Sequence, residues 1–182
     1  MQMRHFHNVA LVGFMGTGKS TVGNVLASML HLRFVDTDAL IEQRAGKRIT
    51  DIFASDGEAR FREIESDVVR ELAEKRGIVI STGGGVVMNP ANMESLKQHA
   101  LVVRLWASPE AILTRVGHQT HRPLLQGEDR LEKIKSLLAK REPFYRQADV
   151  LLNCEQRSPR EVAQHVAHQF RLAQPGRAAV VE

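Results

Sequence analysis

Apolar residues along the chain follow two rhythms. Short continuous runs at Val9 to Val12, at Leu32, Phe34 and Val35, at Ile78 to Ile80, at Leu101, Val102, Val103, Leu105 and Trp106, and at Val150 to Leu152 have the length of strands buried on both faces. Between them the spacing turns helical: Val22, Val25, Leu26, Met29 and Leu30 between Lys19 and Leu30, then Phe61, Ile64, Val68 and Leu72 in a segment from about Gly57 to Lys75, then Leu131, Ile134, Leu137 and Leu138. Stop and start signals fall where these periods change. Gly46 closes a helix from Ala39 to Ala45, a short turn runs from Thr50 to Ala54, Asp56 is a candidate N-cap, and Gly77 precedes the third strand. Asn89 and Pro90 announce a helix to about His99; Ser108, Pro109 and Glu110 announce one to about Val116. Ser158, Pro159, Arg160 and Glu161 form a capping box opening the last helix, which ends near Leu172. Five strands alternating with helices predict an α/β fold, a parallel sheet between two helical layers.

Two stretches lack either period. From Gly117 to about Gly127 the chain is polar, with His118, Gln119, Thr120, His121, Arg122 and Pro123, which suits either a surface loop or a mobile lid over a site. Gln174 to Glu182 contains Pro175 and Gly176 without a core pattern and reads as a frayed tail. With no repeat and no linker visible, residues 1–173 are expected to form a single domain.

Composition narrows the function classes. The 182 residues suffice for one full core. Met1 to Asn8 hold no long apolar run and no small-residue cleavage signal, and no later run approaches a membrane span, so a cytosolic protein is expected. The formal charge of +4 comes from basic residues interleaved with acids, and aromatics are too few for a stacking platform, which argues against nucleic acid and suits a pocket for small polyanions. Cys154, the only cysteine, sits at the end of an apolar run and reads as a buried, inert thiol. His5 and His7 are joined by no further residue at ligand spacing, so they read as part of a flexible terminus.

The chemistry begins at Gly13 to Ser20, GFMGTGKS, which fits the phosphate-loop pattern G-x-x-x-x-G-K-[ST] between a buried strand and a helix. Glycines let backbone N–H groups turn inward around phosphate oxygens, and the helix adds its positive end. Lys19 supplies a mobile charge for the outer phosphates and Ser20 a hydroxyl for a phosphate-bound Mg²⁺. A glycine-rich turn with a surface lysine would explain the composition but not the strand–loop–helix context.

A phosphate loop implies a nucleotide and no more; what faces the γ-phosphate decides the reaction. Asp36 and Asp38 follow the second strand and would share one side of an extended end, one near Mg²⁺ and the other near an attacking hydroxyl; alternatively they are a polar turn in which an Asp caps a helix. Arg62 and Arg141 could converge on a carboxylate through forked hydrogen bonds, or be ordinary solvated helix arginines, Arg62 having Glu58 four residues earlier. Gly83, Gly84 and Gly85 end a central strand, where close approach of backbone to ligand, or a hinge, would explain three glycines.

Taken together, GFMGTGKST, DTD at Asp36 to Asp38, DGEARFREIE at Asp56 to Glu65, STGGG, RPLL at Arg122 to Leu125 and KREPFYRQAD around Arg141 make the chain, from about Val9 to its last helix, resemble the shikimate kinase family. The resemblance implies a small three-layer α/β/α P-loop kinase with a five-stranded parallel sheet and a mobile lid at about 117–127. It further implies ATP and shikimate as substrates, Mg²⁺ as cofactor, no nucleic acid, no membrane and a monomer. Carried over by position, it puts ATP phosphates on Gly16, Thr17, Gly18, Lys19, Ser20 and Thr21, and Mg²⁺ on Ser20 with Asp36 nearby through water. Asp38 would orient or deprotonate the attacking hydroxyl. Arg62, held by Glu65, would grip the carboxylate side of shikimate with Gly84 and Arg141; Arg122 would meet the transferring phosphate; and Arg115, Arg157 and Pro159 would flank adenine. The alternatives are a gluconate or other small-metabolite kinase, a nucleoside monophosphate kinase, and, in another class, a catalytically silent ATP-binding module. The first two are not expected to combine DTD, FRxxE and GGG.

Overall fold

The computed structural model describes residues 6–116 and 129–174. The expected lid with its Arg122, the tail from residue 175 and His5 lie outside the described residues. Five parallel strands, β1 (Asn8–Val12), β2 (Arg33–Asp36), β3 (Ile78–Ser81), β4 (Ala100–Trp106) and β5 (Val150–Asn153), form one sheet in the order β2-β3-β1-β4-β5. The helices are α1 (Lys19–Leu30), α2 (Thr37–Ala45), α3 (Ile49–Ser55), α4 (Gly57–Leu72), α5 (Pro90–His99), α6 (Pro109–Val116), α7 (Arg130–Tyr145) and α8 (Pro159–Leu172), with a short 3₁₀ turn at Val86–Met88. No described helix is long and apolar enough to cross a membrane.

Alternation along the strands supplies two cores. Ala10, Val12, Ile78, Ile80 and Val102 face α4 and α5, while Val9, Leu11, Val79, Leu101 and Val103 face α1 and α8. A third cluster joins Phe14 of the glycine loop to Ile112 and Val116 of α6 and Ile134 of α7. That cluster fixes both helices beside the carboxyl end of β1. The chain crosses from β3 to β4 over β1, so the crevice beyond these strand ends is where an open parallel sheet binds ligands.

Two local expectations need correction. Asp56 stands at the N-cap of α4 without accepting a capping hydrogen bond; its carboxylate takes Lys47 Nζ at 2.7 Å instead. The helix from Gly57 stops at Leu72 rather than Lys75, because the last turn tightens to bonds from Glu74 N to Glu71 O and from Lys75 N to Leu72 O. The capping box at Ser158 and Glu161 forms in both directions. Cys154 is buried and burial pushes its thiol pKa up, which suits an inert side chain.

Candidate active site

Backbone geometry after β1 builds one half of the site. Gly13, Gly16 and Gly18 have φ of 144°, 80° and 89°. A Cβ would stand 2.3 Å from the Leu105 carbonyl oxygen at Gly13 and 2.6 Å from Val116 Cγ1 at Gly16, so sterics and dihedral both exclude a side chain there. Thr17 Oγ1 donates to the Phe14 carbonyl at 2.8 Å and closes the turn. Left-handed Gly18 then opens α1, directing its first N–H groups at the loop. Lys19 is buried, and its Nζ donates to the carbonyls of Gly13 and Phe14 at 2.9 Å each, which holds the ammonium across the loop. Ser20 and Thr21, in the first turn, are exposed.

The aspartates are not arranged as an extended pair. β2 ends at Asp36 and Thr37 opens α2, so Asp38 lies in the first helical turn. Asp36 is the cap: Oδ1 accepts from Asp38 N at 3.0 Å and from Ala39 N at 3.4 Å. Its Oδ2 accepts from Ser20 Oγ at 2.8 Å, so capping and a place at the loop coexist on one carboxylate. Ser81, in register with Asp36 across β2 and β3, brings its Oγ to 3.1 Å from Ser20 Oγ. Two hydroxyls and a carboxylate are hard oxygen donors. No group of three or more His, Cys, Asp or Glu placed to hold a metal occurs among the described residues. The arrangement therefore fits a phosphate-borne Mg²⁺ that keeps much of its water, and gives no resident cage.

The three glycines after β3 each receive a different charged group. A Cβ on Gly83 would lie 2.9 Å from Asp38 Oδ1 and 3.0 Å from Glu65 Oε1; on Gly85 it would lie 2.7 Å from both terminal nitrogens of Arg62; on Gly84 it would lie 3.6 Å from Arg141 Nη1 and 3.3 Å from Met15 N in the phosphate loop. Glu65 is only 1% exposed, and its Oε2 accepts from Arg62 Nη1 at 2.8 Å. Burial pushes its pKa up against the opposing charge of Arg62, and Asp38 adds to the rise. For Arg62, burial opposes the charge, yet Glu65 and Glu58 outweigh it and its pKa rises. Glu58 holds Arg62 from the solvent side at 3.0 Å, as the helical spacing predicts.

Arg141, buried on α7, donates from Nη1 to the Gly84 carbonyl at 3.2 Å and sits 5.4 Å from the Phe14 ring centroid. Tyr145 O–H donates to the same carbonyl at 2.7 Å. Asp38, Arg62, Gly84 and Arg141 are thus gathered on one glycine segment, adjoining the phosphate loop. On the other side of that loop, Arg115 donates to the carbonyls of Cys154 at 3.0 Å and Gly16 at 3.4 Å. Arg157 is tied to the Asn153 carbonyl at 3.2 Å, and Pro159 opens α8; both stand by the end of β5 rather than on the loop.

Sequence reading missed Ser81, Tyr145 and the ion pair of Arg104 with Glu142. Arg104 carried a signal: it is the one charge within ALVVRLW, a strand expected to be covered on both faces, and such a charge needs a buried partner.

The chain is similar to known proteins in both sequence and fold. The family model for shikimate kinase matches residues 15–171. A shikimate kinase of Caldanaerobacter subterraneus subsp. tengcongensis is 43% identical over 163 residues, 90% of this chain and 95% of the relative. That of Geobacter sulfurreducens is 46% identical over 160 residues, covering 88% of each. Among solved structures, a shikimate kinase from Acinetobacter baumannii in complex with shikimate superposes with a TM-score of 0.87 at 39% identity, over 91% of this chain and 93% of that one. A gluconokinase from Sinorhizobium meliloti, at 19% identity and a TM-score of 0.56, shares the fold alone. Family model, relatives and fold agree over most of the chain, and the chain belongs to the shikimate kinase family.

Proposed function

We propose that the protein transfers the γ-phosphoryl group of ATP to the 3-hydroxyl of shikimate, giving shikimate 3-phosphate and ADP on the route to chorismate and the aromatic amino acids. The observation that carries this reading is the meeting of Asp38, Arg62 and Arg141 on Gly83 to Gly85, directly beside the loop that holds Lys19. One face offers N–H groups and an ammonium to a polyphosphate. The other offers two arginines to a carboxylate and an aspartate to a hydroxyl.

The roles proposed for these residues combine that placement with the family resemblance. Residues Gly16 to Thr21 cradle the phosphates of ATP through backbone N–H groups and the Lys19 ammonium. Ser20 and Asp36, hydrogen-bonded to each other, would hold Mg²⁺. When bound, that ion neutralises charge on the phosphate oxygens. Arg62 and Arg141 fix the shikimate carboxylate, and Glu65 and Glu58 keep the Arg62 fork from swinging away. Asp38 accepts the proton of the attacking hydroxyl or directs it at phosphorus; a loose transition state needs little base strength. Its charge lies on the peripheral oxygens, so the cations of Lys19 and Arg122 do most of the work electrostatically. The assignment of Arg122 rests on the family resemblance of RPLL. By the same resemblance, Arg115 flanks the adenine side, joined by Arg157 and Pro159.

A single domain over residues 1–173, monomeric and cytosolic, is the proposed working form; light scattering that returns the mass of one chain supports it. For the reaction, protein, ATP and Mg²⁺ are mixed with shikimate, gluconate or nucleoside monophosphates and ADP release is followed. Release with shikimate is expected. Release with a nucleotide and none with shikimate would overturn the proposal, and ATP binding without turnover on any acceptor would identify a silent module.

A further inference from the structure

Arg104 lies in the middle of β4, 4% exposed, in register with Val12 at the base of the phosphate loop on one side and with Leu151 on the other. Its guanidinium makes a forked pair with Glu142 of α7, at 3.0 Å to Oε1 and 2.6 Å to Oε2, and lies 5.0 Å from the Tyr145 ring centroid. Burying an arginine under a helix is not a cheap way to stabilise a fold. A well-packed apolar side chain of similar length does as well or better in many cases. The fork does supply direction: it fixes where Glu142 and Tyr145 stand, hence the rotation of the α7 turn that also carries Arg141. Arg141 and Tyr145 both donate to the Gly84 carbonyl, one turn apart on that helix.

We propose that Arg104, through Glu142 and Tyr145, is a positioning residue for the acceptor half of the site. It would hold Arg141 and the Gly84 carbonyl in the relation that receives the acceptor carboxylate. The inference rests on the functional reading above, and it assigns no contact between Arg104 and either substrate. Because Arg104 faces α7, its loss should be felt by the acceptor and not by the nucleotide. Lysine should fail to replace it, since an ammonium can neither fork onto Glu142 nor stack on Tyr145.

The test compares wild type with Arg104→Met, Arg104→Lys, Tyr145→Phe and the double variant Arg104→Met/Tyr145→Phe, measuring KM for shikimate, KM for ATP, kcat and thermal midpoint. Methionine keeps the stem without leaving a buried charge, and Glu142 retains Arg146 at 3.2 Å, so folding is expected to survive. The expected result for both Arg104 variants is a rise of about tenfold in KM for shikimate, with KM for ATP and kcat within about twofold, and a double variant whose effect is smaller than the combined effects of the singles, full additivity overturning the route through Tyr145. An unchanged KM for shikimate with a lowered thermal midpoint would make Arg104 merely structural and overturn the inference. Should Arg104→Met not fold, Tyr145→Phe, which removes one hydroxyl, decides: an unaltered KM for shikimate there overturns the relay to Gly84. If wild type itself does not phosphorylate shikimate, the functional reading fails and not this inference alone.

Discussion

Gly85→Ala separates what the glycine segment does for folding from what it does for the site. At Gly85 φ is −100° and ψ is −4°, which alanine adopts without strain, and the added methyl would lower the entropy of the unfolded chain. On stability alone the change is therefore neutral or favourable, by about 0.4–1 kcal/mol. The new Cβ, however, would stand 2.7 Å from both terminal nitrogens of Arg62 and 3.0 Å from its Cζ. To reach ordinary contact distance the guanidinium must retreat by roughly 0.7 Å or more. It is the far end of a flexible side chain, so the retreat costs the fold little. It does break the alignment that Glu65 and Glu58 impose on the fork. Losing one well-aligned charge-assisted hydrogen bond to a bound carboxylate is worth about 1.5–3 kcal/mol, or about ten- to a hundredfold in affinity. The expected outcome is a KM for shikimate raised by that factor, a KM for ATP near wild type, and a thermal midpoint unchanged or slightly higher. Steady-state kinetics with each substrate varied, beside a thermal melt, gives all three. A KM for shikimate within twofold of wild type would refute the reasoning, because Arg62 could then move without consequence.

Lys19→Met should lower kcat by about a hundredfold or more, as expected for a preorganised charge aimed at the transition state; near-normal turnover would contradict the loop assignment. Because burial holds the Glu65 pKa above the usual range, acidification neutralises it early and frees Arg62, so KM for shikimate should climb as pH falls toward that raised pKa. Glu65→Gln should remove this limb; a limb that persists assigns it to another group. A raised folded pKa means that the stability contribution is complete below the unfolded pKa and is lost as pH rises through the folded one, so Glu65→Gln should also be at least as stable as wild type at pH 7. His99 behaves oppositely: burial, with His7 nearby, depresses its pKa, and Nδ1 lies 2.8 Å from Asn8 Nδ2, which also reaches the Lys75 carbonyl. Its contribution is present above the unfolded value of about 6.5 and is lost as pH falls through the folded pKa. Denaturant melts between pH 7.5 and 5 should show a steeper loss in wild type than in His99→Gln, and parallel curves would exclude it.

The fold was largely legible because its signals are local. α1 spans the residues that the apolar spacing predicts, α8 begins at its capping box, and the inner strands β1, β3 and β4 are buried runs, whereas the edge strands β2 and β5 are only partly covered and leave Leu151 exposed. The donor half was legible for the same reason, since a phosphate loop is one continuous segment. Long-range pairing was not. Ser81 comes to Ser20 through the pairing of β3 with β1, the strand that leads into the loop and α1, in a register that no local pattern encodes, and Arg104 meets Glu142 through the docking of α7. Of the two readings that the spacing of Asp36 and Asp38 leaves open, the extended pair fails and the capping turn holds, because Asp36 ends the strand by capping the next helix. Resemblance, rather than periodicity, singled out Arg62 and Arg141 from the many arginines on helices.

The two halves of the crevice are held by different physics, and this bears on which changes they tolerate. The phosphate side is backbone: positive-φ glycines and a helix end, fixed by β1 and the Phe14 cluster. Any side chain at Gly13 or Gly16 collides with neighbouring atoms and the loop cannot re-form around it. The acceptor side is a set of buried and half-buried charges whose positions depend on one another: Glu65 on Arg62, Arg62 on Gly85, Arg141 on Gly84, and α7 on Arg104. Such a set can shift without unfolding the domain. Substitutions on the phosphate side should therefore abolish turnover with every acceptor, whereas those on the acceptor side should first relax the choice of acceptor and only then the rate.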